Sequence, residues 1–314
     1  KANTIAIITD GSRVLGLGNV GPEAALPVME GKALLFKEFG GVNAMPICLA
    51  TQDVDEIVET VQRIAPNFGG INLEDIESPK CFEIEKRLAK SLDIPVFHDD
   101  QYGTAIIVLA GLTNALKLVG KSKEVKIVVN GAGAAGHAIT SLLTETGFHN
   151  LVVCDSKGII SLERSDLDEY KRELAEKTRG TLGKLEDAAK DADVLIGVSQ
   201  KDAFSKKLVH GLAKNSIVMA LANPFPEISV EDAKVAGARI VCTGRSDYPN
   251  QINNAVCFPG FFKGLLQARA KKITLEMKLA AAHAIASHVG TRLADDCVVP
   301  EVFDKTLAPA VAKA

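Results

Sequence analysis

Between residues 52 and 98 the apolar positions switch period several times. Val54, Ile57, Val58, Val61 and Ile64 fall on one helical face, Ile71-Asn-Leu73 reads as a strand, Cys81, Ile84 and Leu88 return to helical spacing, and Ile94-Pro-Val-Phe97 reads as a second strand. Upstream, Thr4-Ile-Ala-Ile-Ile8 is strand-like from almost the first residue. Ser78-Pro79 supplies an N-cap and a first-turn proline, so the second helix starts shortly after Glu74 and Asp75 and leaves those acids at the C-terminal end of a strand. From Val125 onward, strands are expected at 125–129, 151–154, 193–197, 217–221 and 239–242, separated by helical patterns. That alternation predicts βαβ units and a mainly parallel, doubly wound sheet. The longest apolar stretch, Thr104 to Val119, contains Asn114 and Lys117 and is shorter than the ~20 residues a bilayer needs, so it reads as a buried helix. After Phe261 the pattern is helical, with no strand signal.

At 314 residues the chain exceeds what one core usually organises, and two lobes are expected. Its 36 basic and 39 acidic residues leave a formal net charge of −3, with no basic field for nucleic acid or an anionic membrane, so a small-molecule ligand is the default. Cys48, Cys81, Cys154, Cys242, Cys257 and Cys297 form no Cys-x-x-Cys pair and read as reduced core thiols of a cytoplasmic protein.

Two segments match Gly-x-Gly-x-x-Gly: Gly16-Leu-Gly18-Asn-Val-Gly21 and Gly131-Ala-Gly133-Ala-Ala-Gly136. The second follows a strand, opens an amphipathic helix and is followed by Leu151-Val-Val-Cys154 ending in Asp155, which is the full context of a dinucleotide loop. Gly131, Gly133, Ala134, Ala135 and Gly136 are therefore the pyrophosphate candidates, and Asp155 is the ribose candidate. The first segment has Pro22 where a helix should open and no acid-ended strand at the right distance, so it reads as a tight turn. Asp155 favours NAD, while Ser156 and Lys157 beside it keep NADP open.

Two expected strands end in acids, at Glu74-Asp75 and at His98-Asp99-Asp100. Neighbouring parallel strands would bring these carboxylates together, and a cation is the simplest offset to their repulsion. All-oxygen donors point to Mg²⁺ or Mn²⁺, although helix-capping would explain any one acid alone. Lys32, Arg13, Asn223, Asn253 and Asn254 are unremarkable singly.

Together, Gly11-Ser-Arg13-Val-Leu-Gly-Leu-Gly18, Pro27-Val-Met-Glu-Gly-Lys32, Gly70-Ile-Asn-Leu-Glu-Asp75, Phe97-His-Asp-Asp-Gln-Tyr-Gly-Thr104 and Ser246-Asp-Tyr-Pro-Asn-Gln-Ile-Asn-Asn254 resemble bacterial-type malic enzymes across nearly the whole chain. The resemblance implies oxidative decarboxylation of L-malate to pyruvate and CO₂ with reduction of NAD or NADP. It implies Glu74, Asp75 and Asp100 as metal ligands, Lys32 as base with Asp99 assisting, and Arg13, Asn223 and Asn254 on substrate. Thr104, Asp155, Asn223 and Asn253 would help seat the dinucleotide. The domains expected are an α/β substrate and metal domain at residues 1–98, a Rossmann-type dinucleotide domain at 99–253, and a helical part at 254–314 returning to the first. The final proton donor of the family is a tyrosine in an upstream Tyr-Thr-Pro segment, so an N-terminal part that also helps form the family's homodimer is expected to be missing. Tyr102 stands where the family often has histidine. Rival readings are a malolactic enzyme releasing lactate, a metal-free dehydrogenase, and an inactive dinucleotide-binding fragment.

Overall fold

The computed structural model describes residues 1–14 and 16–314; Leu15, inside the Gly11–Gly18 segment, lies outside the described residues. The chain opens as β1 (Thr4–Thr9), α1 (Gly21–Leu35), β2 (Asn43–Cys48), α2 (Val54–Ile64), β3 (Gly70–Leu73), α3 (Lys80–Ser91), β4 (Val96–His98) and α4 (Asp99–Val119). The four strands form one parallel sheet in the order β2-β1-β3-β4. Ile5, Ala6, Ile7 and Ile8 of β1 are all fully buried, as a central parallel strand covered on both faces requires. Helix α2 buries Ile57, Val58 and Val61, the face its spacing predicts.

Three local expectations change. Helix α3 begins one residue late, with Pro79 at the N-cap and no bond from Ser78, because its first amides are met by backbone: Cys81 N–H donates to the Glu77 carbonyl and Phe82 N–H to that of Pro79, both at 3.1 Å. Pro22 does not block a helix. It sits in the first turn of α1, where a missing N–H costs no hydrogen bond. The turn before it is tight as expected, with Val14 and Gly18 exchanging two 2.9 Å backbone bonds. Helix α4 starts at Asp99, well before the apolar run, and at 21 residues is long and apolar enough for a membrane span; 72% of its most apolar stretch is buried within the protein, which marks a core helix.

The next elements are β5 (Ile127–Asn130), α5 (Ala134–Glu145), β6 (Leu151–Asp155), β7 (Gly158–Ile159), α6 (Glu169–Lys177), α7 (Leu185–Ala189), β8 (Val194–Gly197), α8 (Lys206–His210), β9 (Ile217–Ala220), α9 (Val230–Val235) and β10 (Ile240–Thr243). They build a sheet in the order β10-β9-β8-β5-β6-β7, parallel except for β7, which pairs antiparallel with β6. The chain winds outward from β5 in both directions, so β5 and β8 flank the point where the winding reverses. All five strands expected here are present. Strand β7, at two residues, is too short to show a period.

Last come α10 (Phe258–Gln267), α11 (Leu275–His288) and α12 (Leu307–Lys313). Gly260 and Gly264 let α10 and α12 touch, since a Cβ on either would stand 2.7 or 2.8 Å from the carbonyl oxygen of Ala308 or Ala312. By compactness, Lys1–Ile107, Asn253–His288 and Glu301–Ala314 form one unit, and Val108–Ile252 with Val289–Pro300 form another. The first division thus falls inside α4 rather than at residue 98, and the first turn of that helix is bonded to the first unit through Asp99 to Lys32 and Asp100 to the Asp75 amide. Residues 289–300 belong to the second unit rather than returning to the first. In the first unit Phe36, Phe97, Phe258 and Phe262 form an aromatic core, with Phe36 and Phe258 centroids 4.5 Å apart.

Candidate functional site

Strand β3 ends at Leu73 and β4 at His98, and these two residues are register partners, so both acid pairs emerge side by side. Consecutive side chains of an extended strand point to opposite faces. Asp75 breaks that alternation with φ +52°, a left-handed conformation that aspartate tolerates better than most residues, and it turns its carboxylate to the same place as that of Glu74. This backbone is held at both ends: Asp75 N–H donates to Asp100 Oδ2 at 2.9 Å, and Arg13 N–H donates to the Asp75 carbonyl at 3.0 Å. Glu74, Asp75 and Asp100 each present an oxygen, all within 4.8 Å of one another. Asn72, a polar residue in an otherwise apolar strand, fixes Glu74 from behind by donating Nδ2 to Oε2 at 2.9 Å. Sequence reasoning passed over it, although an asparagine inside a buried strand was a readable signal.

Lys32 completes the cluster. It shares the buried face of α1 with Ala25 and Met29 and is 8% exposed. Its ammonium donates to Asp99, lies 2.6 Å from Glu74 Oε2, and sits 4.4 Å over the Phe258 ring. Asn254 donates Nδ2 to the same Asp99 oxygen at 2.7 Å. Gly103, one turn along α4, is what leaves room: a Cβ there would stand 1.8 Å from Asp99 Oδ1. That oxygen is buried with no hydrogen-bond partner among the described residues.

The electrostatics are lopsided, with four carboxylates against one ammonium. Burial holds the Asp99 carboxyl up at about 7, with Lys32 pulling it down and Glu74 adding to the rise. Glu74 and Asp100 are raised by burial as well, against the pull of Lys32. Burial disfavours the Lys32 charge, but Asp99, Glu74 and Asp100 outweigh it and raise the pKa. His98, fully buried beside Lys32, is held neutral at about 3 by burial first. Clustered oxygen donors, excess negative charge and an orphaned carboxylate oxygen fit a hard dication such as Mg²⁺ or Mn²⁺.

The remaining predicted residues are spread over the two units. Arg13 is exposed on the loop after β1, which is locked by Asp10 accepting from Ser12 Oγ at 2.6 Å and by Ser12 Oγ accepting from Glu77 N–H at 2.9 Å. Thr104 is half-buried in the second turn of α4, and Asn253 caps the short turn before α10 by accepting from Ala255 N–H. In the second unit, Gly131 has φ +124° and the turn runs through Gly133 into Ala134, Ala135 and Gly136 at the start of α5. A Cβ on Gly136 would stand 1.8 Å from the Gly131 carbonyl oxygen, so only glycine allows this closure. Asn223 is exposed beyond β9.

Asp155 ends β6 as expected, but its carboxylate is already engaged. Oδ1 accepts from Arg164 Nη1 at 2.8 Å and from Lys157 N–H at 2.9 Å, and Oδ2 accepts from Arg164 Nη2 at 3.1 Å and from Lys171 at 2.9 Å. A ribose hydroxyl must share or displace one of these donors, and the cations themselves suit a phosphate. Nothing in the local pattern marked Arg164 or Lys171, which meet Asp155 only through tertiary structure.

The malic enzyme N-terminal domain family matches residues 1–89, and the malic enzyme NAD-binding domain family matches residues 101–312. The chain is 58% identical over 319 residues to the bifunctional malic/malolactic enzyme of Bacillus subtilis, covering 100% of this chain and 78% of that protein. It is 52% identical over 318 residues to the NAD-dependent malic enzyme of Geobacillus stearothermophilus, covering 100% of this chain and 66% of that one. The crystal structure of the NAD-dependent malic enzyme from Thermotoga maritima aligns with a TM-score of 0.96 at 48% identity, covering 99% of this chain and 83% of that one. With both domain families matched in order and this identity carried along the full length, the protein belongs to the malic enzyme family.

Proposed function

We propose that the protein oxidises L-malate and decarboxylates it to pyruvate and CO₂, using a divalent cation on Glu74, Asp75 and Asp100 and a nicotinamide dinucleotide, NAD or NADP, on the glycine turn of the second unit. The observation that carries this reading is the buried Lys32–Asp99 pair set directly against the three-carboxylate cluster. When bound, the dication would polarise the malate C2 oxygen and, by offsetting Glu74 and Asp100, weaken part of the charge that keeps Lys32 protonated, while the oxidised nicotinamide would accept the hydride.

Lys32 takes the proton of the C2 hydroxyl as the hydride departs. Asn254 fixes the Asp99 carboxylate, and Asp99 in turn holds the lysine amine in one orientation to receive that proton. Arg13, exposed on a locked loop, pairs with a malate carboxylate. Asn223 and Asn254 contact substrate or nicotinamide, and Asn253 and Thr104 help to seat the dinucleotide. Cytoplasmic residence suits the six free cysteines. A homodimer or larger homo-oligomer is part of the proposal.

The test is reduced-nicotinamide absorbance from purified protein given L-malate and Mn²⁺, with NAD and NADP in separate reactions. A rise abolished by EDTA is expected; a rise indifferent to EDTA, or none, overturns the reading. A second reading, release of lactate, draws on the bifunctional malic/malolactic name of the Bacillus subtilis relative. Assaying pyruvate and lactate in the same reaction separates the two.

A further inference from the structure

Glu227 is a fully buried carboxylate between β9 and α9, beside the apolar core residues Phe204, Ala220 and Ile228. It lies in neither acid cluster, and its burial raises its pKa above the ordinary value even though the Ser199 and Ala222 amides pull it down. Among the described residues its carboxylate oxygens serve as acceptors. Oε1 accepts from Ser199 N–H at 2.8 Å and from Ser199 Oγ at 3.2 Å, and Oε2 accepts from Ala222 N–H at 3.0 Å. The fold makes room for it: a Cβ on Gly197, the last residue of β8, would stand 2.4 Å from the Glu227 Cδ.

Those partners sit at the C-terminal ends of adjacent parallel strands, where doubly wound sheets bind their ligands. Ser199 follows β8 and also accepts from Asn130 Nδ2, at the end of β5, at 2.9 Å. Val198, the neighbour of Ser199, underlies the glycine turn: a Cβ on Gly131 would stand 2.5 Å from the Val198 carbonyl oxygen, and one on Gly136 would stand 3.4 Å from its side chain. Ala222 directly precedes Asn223. One carboxylate therefore ties the bed of the glycine turn, after β8, to the loop bearing Asn223, after β9, and Ser199 carries the link on to the end of β5, across the point where the winding of the sheet reverses.

We infer that Glu227 is a positioning residue of the dinucleotide site, setting the turns after β8 and β9 so that the glycine turn and Asn223 present themselves together to the coenzyme. The inference rests on the proposed dinucleotide-dependent malate oxidation. Its test is Glu227→Gln, which keeps size and shape but replaces one acceptor oxygen with an NH₂ group. Whichever way the amide turns, one loop loses a charge-assisted bond. The Kd for NAD or NADP by calorimetry and the KM for the same coenzyme are expected to rise about tenfold, the worth of one such bond. The KM for malate and the affinity for Mn²⁺ are expected to stay within about twofold. An unchanged coenzyme Kd and KM, or an equal rise in the malate and coenzyme constants, overturns the inference, whatever happens to the melting temperature. If the glutamine variant does not fold, Glu227→Asp, which keeps both acceptors on a shorter arm, takes the same comparison with the same outcomes. Wild-type protein that binds neither coenzyme refutes the functional proposal itself, whereas wild-type binding with an unaffected variant refutes only the role of Glu227.

Discussion

Replacing Lys32 with alanine removes the ammonium that faces Asp99, Glu74 and Asp100. Breaking a buried ion pair by deleting one partner costs about 3–5 kcal/mol. Here the loss should fall near the lower end, about 3 kcal/mol, because the surviving carboxylates can protonate, as the raised Asp99 pKa of about 7 shows. Loss of the contact with the Phe258 ring, 4.4 Å from the ammonium, adds about 0.5–2 kcal/mol. The chemical effect is larger: deleting a general base lowers kcat by about 10²–10⁴-fold, equivalent to about 3–5 kcal/mol of barrier. Steady-state malate oxidation, coenzyme binding by calorimetry and urea unfolding are measured on the same sample. The expected pattern is a collapsed kcat, an unchanged coenzyme Kd, a moderate loss of stability, and partial rescue by a small primary amine that fits the vacated space. Malate oxidation at near wild-type rate, or lost coenzyme binding in a folded variant, would refute the assignment of Lys32.

Gly103→Ala should lower stability by about 1–3 kcal/mol, because overpacking against the buried Asp99 outweighs the gain in helix propensity, and should lower kcat about 10–100-fold, since its Cβ displaces Asp99 from its bonds to Lys32 and Asn254; full activity would show that Asp99 is dispensable. Asp75→Asn should weaken Mn²⁺ binding, followed by electron paramagnetic resonance, by more than the ~10–100-fold typical of changes behind a metal's ligands; unchanged binding would move the site elsewhere. Burial pushes the Asp155 carboxyl up, but Arg164 and Lys171 outweigh it and hold it at about 2. A folded pKa below the unfolded ~3.9 gives stability that is complete above that value and is lost as the pH falls toward the folded one. Asp155→Asn should therefore be less stable near neutral pH and show a shallower loss of urea midpoint between about pH 4 and pH 2; parallel wild-type and variant curves would contradict this.

Several of these predictions were out of reach of the chain alone. The apolar period of α2 was legible because it buries one face set by its own repeat, and the second-unit strands were legible as short apolar runs because both of their faces are buried. The glycine turn was legible because its strand, glycines, helix and terminal acid are consecutive, and the acidic cluster because parallel neighbours bring strand ends together. Helix α3 was mis-started by one residue because backbone carbonyls did the capping that Ser78 was expected to do. Pro22 was misread because its effect depends on whether it stands before or inside the first turn.

What the sequence by itself determined, then, is which residues face inward and where the strands end, since both follow from local spacing and from backbone groups that must be satisfied nearby. Only the tertiary structure decided which inward groups meet. Lys32 and Asp99 are 67 positions apart, and their pairing depends on where α1 lies against the β1–β4 sheet. Glu74 and Asp75 can act together only because a left-handed residue, held by Asp100 and Arg13, cancels the strand alternation. Asp155 and Glu227 are each a lone acid in the chain, and their roles come from cations or amides that the fold delivers. Burial then makes those meetings matter, because away from water an ion or a carboxylate oxygen must find its partner in the protein.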